Sequence, residues 1–539
     1  MRVMTSRAAE LPVPETPAST ATEPQPGAES STEVYAIHGA EPEVLAYAMA
    51  KYSRSALTMR ESLTEISSQR AEHFLNTFYF QYGHRSIADL AHIPLAVERL
   101  SLLAAITLVD ETRWDGQERS TRYQDFRRSG WYAPKLSKAG RKAYNEAIES
   151  LFHAYDEVGA GMFEALKAAI AQPEEMKPES YARTLKARAF DAARYMLPLA
   201  TNTSLGQIVN ARTLESQVSR LLSSEFTEIR ELGGKLRAAA SQPAWNILRD
   251  RLEEMAGEGS VAPVATAEIL NNLMPPVKAA PTLVKYAEAN EYAMRSREEL
   301  RAAARELMGE APVYPAPIVD LLDDDEDVEV EIATSLVYPH CHYSYRQLRG
   351  AVAALTEARR NEILRLGAVH RGRHDELLRA FQAGHGFRFD ILMDVGGFRD
   401  MHRHRRCVQL MQAFSDVHGY DEPVCPGQPT LEEAGLAAKY KDAMDAALAA
   451  YRTLCDSDEP EAKQSAQYLL PMGVRCRALF KMDFAEALYI SELRSGIAGH
   501  FSYRRVAWEM YRAIAARHPA LAGLFRVQDV NVPMDLLKR

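Results

Sequence analysis

The sequence predicts a mixed α/β (α+β) fold built as two tandem units. Three observations lead to this prediction: an apolar content that supports a large core, an internal repeat, and a long helical pattern at matching places in each repeat. Hydrophobic residues make up 47% of the 539 residues and charged residues 25%, which is typical of a chain that folds.

The first segment of the chain differs in composition from the rest. Residues 1–33 are rich in Pro, Ala, Thr, Ser and Glu. Such a segment buries too little apolar area to offset its ordering entropy, so we predict a disordered tail. No apolar core of a signal peptide follows the first residues. No apolar run approaches the roughly 18 residues that span a bilayer, so we expect a cytoplasmic protein without membrane association.

The internal repeat consists of three features that occur once in each half: a short β-like run, an amphipathic helix and a Leu-Pro motif. They lie at 34–37 and 328–332, at 144–155 and 440–451, and at Pro198 and Pro471. In both helical patterns, apolar residues recur at i, i+3, i+4 and i+7, which places them on one helix face. The shared order indicates a duplication.

A change of composition near the middle of the chain marks the boundary between the units. Prolines ending at Pro317 are followed by the acidic run 323–327, a composition that favours an extended path. We therefore predict a Pro/acidic linker at 316–327, between a first domain at 34–315 and a second at 328–539. An acidic surface loop within one domain is the alternative.

Charge and motif content exclude several functional classes. The net charge of −9 at pH 7 disfavours general binding to nucleic acid. The five cysteines form no C-x-x-C pair, which favours reduced cytosolic thiols over a disulfide frame or a zinc cluster, and we predict no metal site. The chain lacks a P-loop, a G-x-G-x-x-G at a strand-to-helix turn, an H-E-x-x-H and a G-x-S-x-G motif.

Two dense charged segments stand out as candidates for chemistry. Residues 117–123 combine a carboxylate, hydroxyls and two cations, although a solvated surface is the alternative. Residues 399–406 hold four arginines and two histidines. Arginine forks match phosphate geometry and polarise carbonyls, whereas the alternative is a basic surface patch. Metal binding by His402 and His404 is disfavoured, because cationic neighbours repel a bound cation.

A third group of polar residues runs from Arg194 to Arg220. Asn210 and Arg212 are two positions apart, so on a helix they do not share a face. They could still contact different parts of one extended ligand. An ordinary polar helix surface is the alternative.

In order and spacing, these residues resemble the flavin-dependent thymidylate synthases, whose signature is R-H-R, then seven or eight residues, then S-x-R. The resemblance covers most of 34–240 and recurs more faintly over 328–515. It implies units with a small sheet and long helices, and active sites between subunits of a homotetramer. The implied ligands are FAD, dUMP, methylene-tetrahydrofolate and NADPH. Residues 240–312 are helical by pattern and have no evident counterpart in that family.

The first half matches only part of the signature. The resemblance assigns nucleotide binding to Gln117, Glu118, Ser120, Arg122 and Arg194, flavin binding to Ser53, His84, Ser86, Asp89, Asn210 and Arg212, and pyrimidine activation to Arg220. The R-H-R position falls at about Asp110-Glu111-Thr112, so that triplet is lost.

The second half matches the complementary part. The resemblance assigns flavin contacts to Arg403, His404 and Arg405, nucleotide contacts to Asp400 and Arg403, and pyrimidine activation to Arg494. Asp400 stands where the family usually has Gln. The S-x-R stretch becomes Ala413-Phe414-Ser415, Gln467 replaces the second nucleotide arginine, and Asp483-Phe484-Ala485 replaces N-A-R.

These complementary losses imply one composite site per chain. In the family, S-x-R and the second nucleotide arginine come from one subunit, and R-H-R and the activating arginine from its partner. The two halves together could therefore build one complete site. The mirror-image site, which would combine Ala413, Ser415 and Gln467 with 110–112, should be inactive. A homodimer of this chain would supply four units, as a pseudo-tetramer.

The resemblance therefore implies an FAD-dependent enzyme that methylates dUMP to dTMP with methylene-tetrahydrofolate, with NADPH as the reductant. Its expected partners are a small-molecule nucleotide and a folate, without nucleic acid or membrane. A flavin enzyme acting on another pyrimidine is one alternative, because the Asp400 carboxylate would change which ring is accepted. A non-catalytic nucleotide-binding or scaffold relative is the other.

Overall fold

Two small antiparallel sheets, one in each half of the chain, organise the fold. The computed structural model describes residues 35–37, 39–51, 57–65, 85–260, 262–322, 328–370, 372, 378–381, 386–482, 484–517, 522, 525–533 and 535–537. The strands are β1 (His92–Ser101), β2 (Asp115–Glu118), β3 (Asn202–Asn210), β4 (Val319–Leu321), β5 (Phe387–Asp394), β6 (Val408–Met411) and β7 (Arg475–Met482).

The two sheets repeat the same strand order. The first sheet runs β1-β3-β2 and the second β4-β5-β7-β6, so β5, β6 and β7 take the places of β1, β2 and β3. All the pairings are antiparallel. This recurrence supports the predicted mixed fold and the internal duplication.

Helices complete each half. In the first half these are α1 (Pro42–Lys51), α2 (Met59–Glu65), α3 (Leu102–Leu108), α4 (Lys138–Ala169), α5 (Pro178–Ala193), α6 (Ala211–Leu222), α7 (Thr227–Ser241), α8 (Ile247–Gly257), α9 (Pro263–Asn272) and α10 (Glu291–Met308). In the second half they are α11 (Val328–Val337), α12 (Tyr345–Ala354), α13 (Glu357–Leu366), α14 (Val395–Met401), α15 (Ala437–Cys455), α16 (Pro460–Ser465), α17 (Phe484–Ser495) and α18 (Phe501–Arg517).

Short 3-10 helices connect several of these elements. They lie at Arg85–Leu90, Arg194–Met196, Tyr338–His340, Arg379–Phe381 and Ala466–Leu469. Within the described residues, no helix has both the length and the apolar content that crossing a membrane requires.

The long helices α4 and α15 pack against each other. Helix α4 begins at the N-cap Ser137, whose hydroxyl accepts a hydrogen bond from the Gly140 N–H at 3.2 Å. The predicted apolar faces are confirmed: Tyr144 and Ile148 of α4, and Tyr440 and Met444 of α15, are all buried. The two helices belong to one apolar core that contains residues from both halves.

The two sheets are covered to different extents. In β3, buried and more exposed residues alternate, as expected for a sheet with one face against a core. Strand β7 is buried along nearly its whole length. Its residue Leu479 packs into a core with α11 and α12, while Ala478 and Phe480 face the core shared by the two halves.

The two Leu-Pro motifs pair with each other. Pro198 and Pro471 form an antiparallel bridge. The Leu199 N–H donates to the Leu470 carbonyl, and the Met472 N–H donates to the Leu197 carbonyl, both at 2.9 Å. Equivalent segments of the two halves therefore meet across a local pseudo-two-fold axis, and each supplies the same kind of hydrogen bond to the other.

The structure corrects some local predictions and extends others. The prediction of β-structure at 328–332 is wrong, since these residues belong to helix α11. Residues 35–37 form no strand. Part of the proposed linker at 316–327 is strand β4, which pairs with β5. The stretch 240–312 is helical in α8, α9 and α10, as predicted.

Residues Glu41–Arg539 form one compact unit. Of the preceding unit, Met1–Ala40, the structure describes only residues 35–37 and 39–40. The predicted disordered tail at 1–33 and the acidic run 323–327 lie outside the described residues. The division into domains at 34–315 and 328–539 stays a prediction.

Candidate active site

Charged side chains from both halves meet in one largely buried group, which we call the inter-half cluster. The cluster consists of Glu118, Asp191, Arg122, Arg194, Arg399, Asp400, Arg403, His404, Glu486, Arg494 and Tyr503. Three contacts join the halves directly. Arg399 pairs with Glu118, Arg194 Nη1 lies 3.3 Å from Asp400 Oδ2, and Arg122 Nη1 donates to the Tyr503 hydroxyl at 2.9 Å.

Element ends bring these side chains together. Strand β2 ends at Glu118, and the loop that follows carries Ser120 and Arg122. Arg194 begins the 3-10 turn after α5. The short helix α14 carries Asp400 and is capped by Asp394, whose carboxylate accepts from the Gly397 N–H at 2.7 Å.

The Arg122 guanidinium is held by protein groups on several sides. Its Nε and Nη2 donate to Asp191 at 2.7 and 3.2 Å, and Nη2 also donates to the Ala498 carbonyl at 3.2 Å. Ser120 Oγ accepts from the Arg122 N–H at 3.3 Å. Asp191 was missed from the sequence. The only signal was its place on α5, one turn before Arg194.

Arg194 has more hydrogen-bonding capacity than its described partners use. It is 2% exposed, and its Nε and Nη2 have no hydrogen-bond partner among the described residues. Its partner Asp400 is ionised at neutral pH. Burial raises the pKa of Asp400, but Arg194 and Arg403 outweigh this effect and hold the pKa at about 2.

The named residues of the cluster carry an excess of positive charge. The five arginines Arg122, Arg194, Arg399, Arg403 and Arg494 stand against four carboxylates, from Glu118, Asp191, Asp400 and Glu486. Glu486 lies 3.5 Å from His404. Together with the unused donors of Arg194, this excess suits the binding of an anion.

Tyr503 lies between the arginines of the two halves. Its ring centroid is 5.8 Å from Arg122 Cζ and 5.3 Å from Arg494 Cζ. Arg494 Nε donates to His404 Nε2 at 2.8 Å. Burial lowers the pKa of His404, so the ring is neutral and its proton lies on Nδ1, towards Glu486. Glu486 and His404 therefore orient Arg494.

A second polar site lies along α6, and we call it the α6 groove. This cavity of about 890 Å³ is lined by Arg212, Ser216, Ser219 and Arg220 on α6, by residues around the start of α10, and by His370. Arg212 lies 3.2 Å from Asp89.

Two residues of α6 have structural roles in the present arrangement. Asn210 is the N-cap of α6, and its side chain accepts from the Thr213 N–H at 2.8 Å. Arg220 is held by Glu111, with Nη2 2.7 Å and Nε 2.9 Å from the same carboxylate oxygen. Glu111 lies at the position of the lost R-H-R triplet. Its carboxylate forms an ion pair with Arg220, the predicted activating arginine of the first half.

The second half approaches the α6 groove at Asp110 and Glu111. Asp110 Oδ1 lies 3.7 Å from His402 Nε2 and accepts from Arg379 Nη1 at 2.6 Å, while Glu111 lines the groove. Arg405 lies 4.9 Å from the Trp114 ring centroid, so the R-H-R segment of the second half faces the lost triplet of the first.

Two other sequence-predicted residues, Gln117 and Ser86, are exposed. Within the cluster, Arg403 lies 3.8 Å from Asp400. Ser53 and His84 lie outside the described residues. Besides Asp191, sequence reasoning missed Tyr503 and Glu486. Nothing in their local sequence distinguishes them from ordinary helix residues.

Comparison with known proteins links both halves to one family. The family model described as thymidylate synthase complementing protein (Thy1) matches residues 36–242 and again 323–520. A UPF0159 protein of Chlamydia muridarum is 27% identical over 528 residues, which cover 91% of each chain. A UPF0159 protein of Thermoplasma acidophilum is 24% identical over 520 residues, covering 90% of this chain and 95% of the relative.

A shorter relative aligns with part of this chain. A flavin-dependent thymidylate synthase of Clostridium tetani is 25% identical over 212 residues, covering 39% of this chain and 81% of its own length. Such coverage is expected if a related unit occurs twice here. Since the family model matches two segments that together span most of the sequence, the chain belongs to the thymidylate synthase complementing protein (Thy1) family.

Proposed function

We propose that the chain is an FAD-dependent enzyme that methylates dUMP to dTMP with methylene-tetrahydrofolate, using one composite site. The observation that carries the proposal is the position of Tyr503 between Arg122 of the first half and Arg494 of the second. The second half has Ser415 at the position of Arg122, so only the first half supplies an arginine there. The corresponding residues of the mirror-image position are Ser415 and Arg220, and Arg220 is already paired with Glu111.

In this proposal the inter-half cluster binds the nucleotide. Arg194, with its unused donors, and Arg122 hold the phosphate and the sugar. Arg494 lies against negative charge that develops on the pyrimidine during methyl transfer. The chain of Glu486 and His404 keeps the Arg494 guanidinium in place for this role.

The thiols of the protein fit a reaction that needs no cysteine nucleophile. Burial raises the pKa of Cys407 to about 12 and that of Cys425 to about 11. The pKa of Cys341 is raised to about 11 by the same cause. These thiols stay protonated at neutral pH, whereas a cysteine nucleophile acts as the thiolate.

The α6 groove fits a flavin dinucleotide in its donor chemistry. Arg212, Ser216 and Ser219 offer a cation and two hydroxyls for a pyrophosphate, and Tyr286, 55% exposed, offers a ring face. The bound flavin would supply the hydride that completes the methyl group. We further propose NADPH as the reductant and a homodimer, a pseudo-tetramer of units, as the assembly in the cytoplasm.

The activating role of Arg494 has a direct test. In an assay of dTMP formation from dUMP, methylene-tetrahydrofolate, NADPH and FAD, Arg494→Ala should lower kcat by about 100-fold or more, the scale of a lost oxyanion donor. Its counterpart variant, Arg220→Ala, should lose less than about tenfold in kcat, because Glu111 already neutralises Arg220. Equal losses in the two variants would overturn the composite site.

A second candidate function is nucleotide binding without methyl transfer. The observation that favours it is the pairing of Arg122 with Asp191 and of Arg194 with Asp400, which sets two carboxylates against a phosphate. Absorbance distinguishes the two functions. A purified protein with flavin bands that are bleached by NADPH supports the enzyme, and a colourless protein that binds dUMP but takes up no FAD supports the second candidate.

A further inference from the structure

A cavity distinct from the inter-half cluster and the α6 groove lies beside α10, and we call it the α10 pocket. Its volume is about 540 Å³, within the range of roughly 300–1,000 Å³ that small-molecule sites occupy. The pocket lies between α10, the 3-10 turn Tyr338–His340 and the segment that carries Ala413. A smaller cavity of about 270 Å³ adjoins it and shares its central residues.

The floor of the α10 pocket is apolar. Phe226, Ala304, Met308, Pro339 and Val417 line it. Val417 is 46% exposed. An apolar surface of this kind accepts the body of an organic ligand and releases water when it is covered.

The rim of the pocket is cationic. Arg301, Arg305 and Lys463 line it, and Arg297 lines the adjoining cavity. Two carboxylates act on these cations: Glu225, which lies 3.0 Å from Arg301, and Glu298, which acts on Arg297. The excess of positive charge also affects His340. Burial, followed by Arg301 and Arg297, lowers the pKa of its imidazole to about 4. The described rim therefore keeps an excess of positive charge.

The α10 pocket lies at the position of the mirror-image nucleotide site. Ala413 and Gln467, which line the pocket, stand where the mirror-image nucleotide site would need a serine and an arginine. One wall is α10, which lies between the two segments that the family model matches. The loss of nucleotide-binding residues here coincides with a new apolar wall, which decay alone does not supply.

We propose that the α10 pocket binds a small amphipathic anion, with an aromatic body in the apolar floor and one acidic group at the rim formed by Arg305 and Lys463. The apolar floor excludes a fully hydrophilic ligand such as free phosphate as the preferred occupant. The cationic rim disfavours a neutral or basic ligand. The proposal is independent of the activity at the inter-half cluster.

The probe for this proposal is 8-anilinonaphthalene-1-sulfonate, an aromatic anion whose fluorescence rises in apolar sites. Titration of the full chain should give a saturable rise in fluorescence. The double variant Arg305→Glu with Lys463→Glu should weaken binding about tenfold or more, because both substituted residues are exposed cations at the rim. The variant Ala413→Trp should remove the signal by filling the pocket, since Ala413 is exposed and has room for a larger side chain.

The control is Arg251→Glu, an exposed residue of α8 outside the pocket lining, which should bind the probe as the wild type does. The thermal midpoint of each variant shows that it is folded. No saturable binding by the wild type overturns the proposal. Undiminished binding by both the double variant and Ala413→Trp, in folded proteins, overturns it as well.

Discussion

At the scale of single residues, Asp400 is the most informative position in the candidate site. It contacts Arg194, its pKa is about 2, and it therefore adds a full negative charge where a nucleotide phosphate is proposed to bind. The charge is offset by nearby arginines, but it competes for the same donors. Asp400 thus tunes the site for or against a phosphate.

The substitution Asp400→Gln should strengthen dUMP binding. It removes one negative charge beside Arg194, so the dissociation constant should fall about tenfold, as expected for removing a like charge near an anion. Isothermal titration calorimetry measures this change. Asp445→Asn, an exposed residue of α15, is the control and should leave binding unaltered. Weaker or unchanged binding in Asp400→Gln would argue that the phosphate binds elsewhere.

Residue roles were predictable from the sequence only where a motif marked them. Arg122, Arg194, Arg403 and Arg494 belong to recognisable spacings, and the structure brings them into one cluster. Their partners were not predictable, because Asp191 is 69 residues and Tyr503 381 residues from Arg122. Contacts over such separations depend on tertiary packing within and between the halves, which local sequence does not encode.

At the scale of elements, helix α11 shows where periodicity fails. Its start reads Val328-Glu329-Val330-Glu331-Ile332, an alternation typical of a strand with one wet face. Glu331, however, is 2% exposed and pairs with Lys481 and Arg388 of the second sheet. The strand prediction assumed that the glutamates face solvent. Glu331 is instead buried in ion pairs, so the alternation does not require a strand, and the segment forms a helix.

The substitution Glu331→Gln should destabilise the protein strongly. It removes the negative charge that Lys481 and Arg388 face in a buried place, and breaking a buried pair in this way costs about 3–5 kcal/mol. Urea denaturation followed by circular dichroism measures the loss. The control Glu306→Gln breaks an exposed pair with Arg359 and should cost less than about 1 kcal/mol. A loss in Glu331→Gln no larger than in the control would show that the pair contributes little.

At the scale of the whole molecule, the shared core makes the two halves one folding unit. Residues of α4 and α5 pack with residues of α15, β5 and β7, and the Leu-Pro segments are hydrogen bonded to each other. Duplication, the mixed fold and the long helices were predictable from the repeat. The way in which the two copies share one core was not.

Thermal unfolding should therefore give one calorimetric transition. The substitution Gly473→Ala should shift it downwards as a whole, because a Cβ at Gly473 would lie 2.6 Å from Tyr195 Cδ1 at the crossing of the halves. Overpacking of this kind costs about 1–3 kcal/mol. Gly350→Ala in α12, where a Cβ meets no atom within 4 Å, should not lower the transition. Two separated transitions, with one unaffected by Gly473→Ala, would contradict a shared unit.

The antiparallel bridge between Pro198 and Pro471 has a consequence for inheritance. In a dimer of identical subunits, a segment on the two-fold axis meets its own copy, so every mutation is imposed on both sides at once. Here the two sides are encoded separately, and a change in one is not copied into the other. Such a protein can lose a site residue from one half, keep its counterpart in the other half, and still retain all the residues of one site.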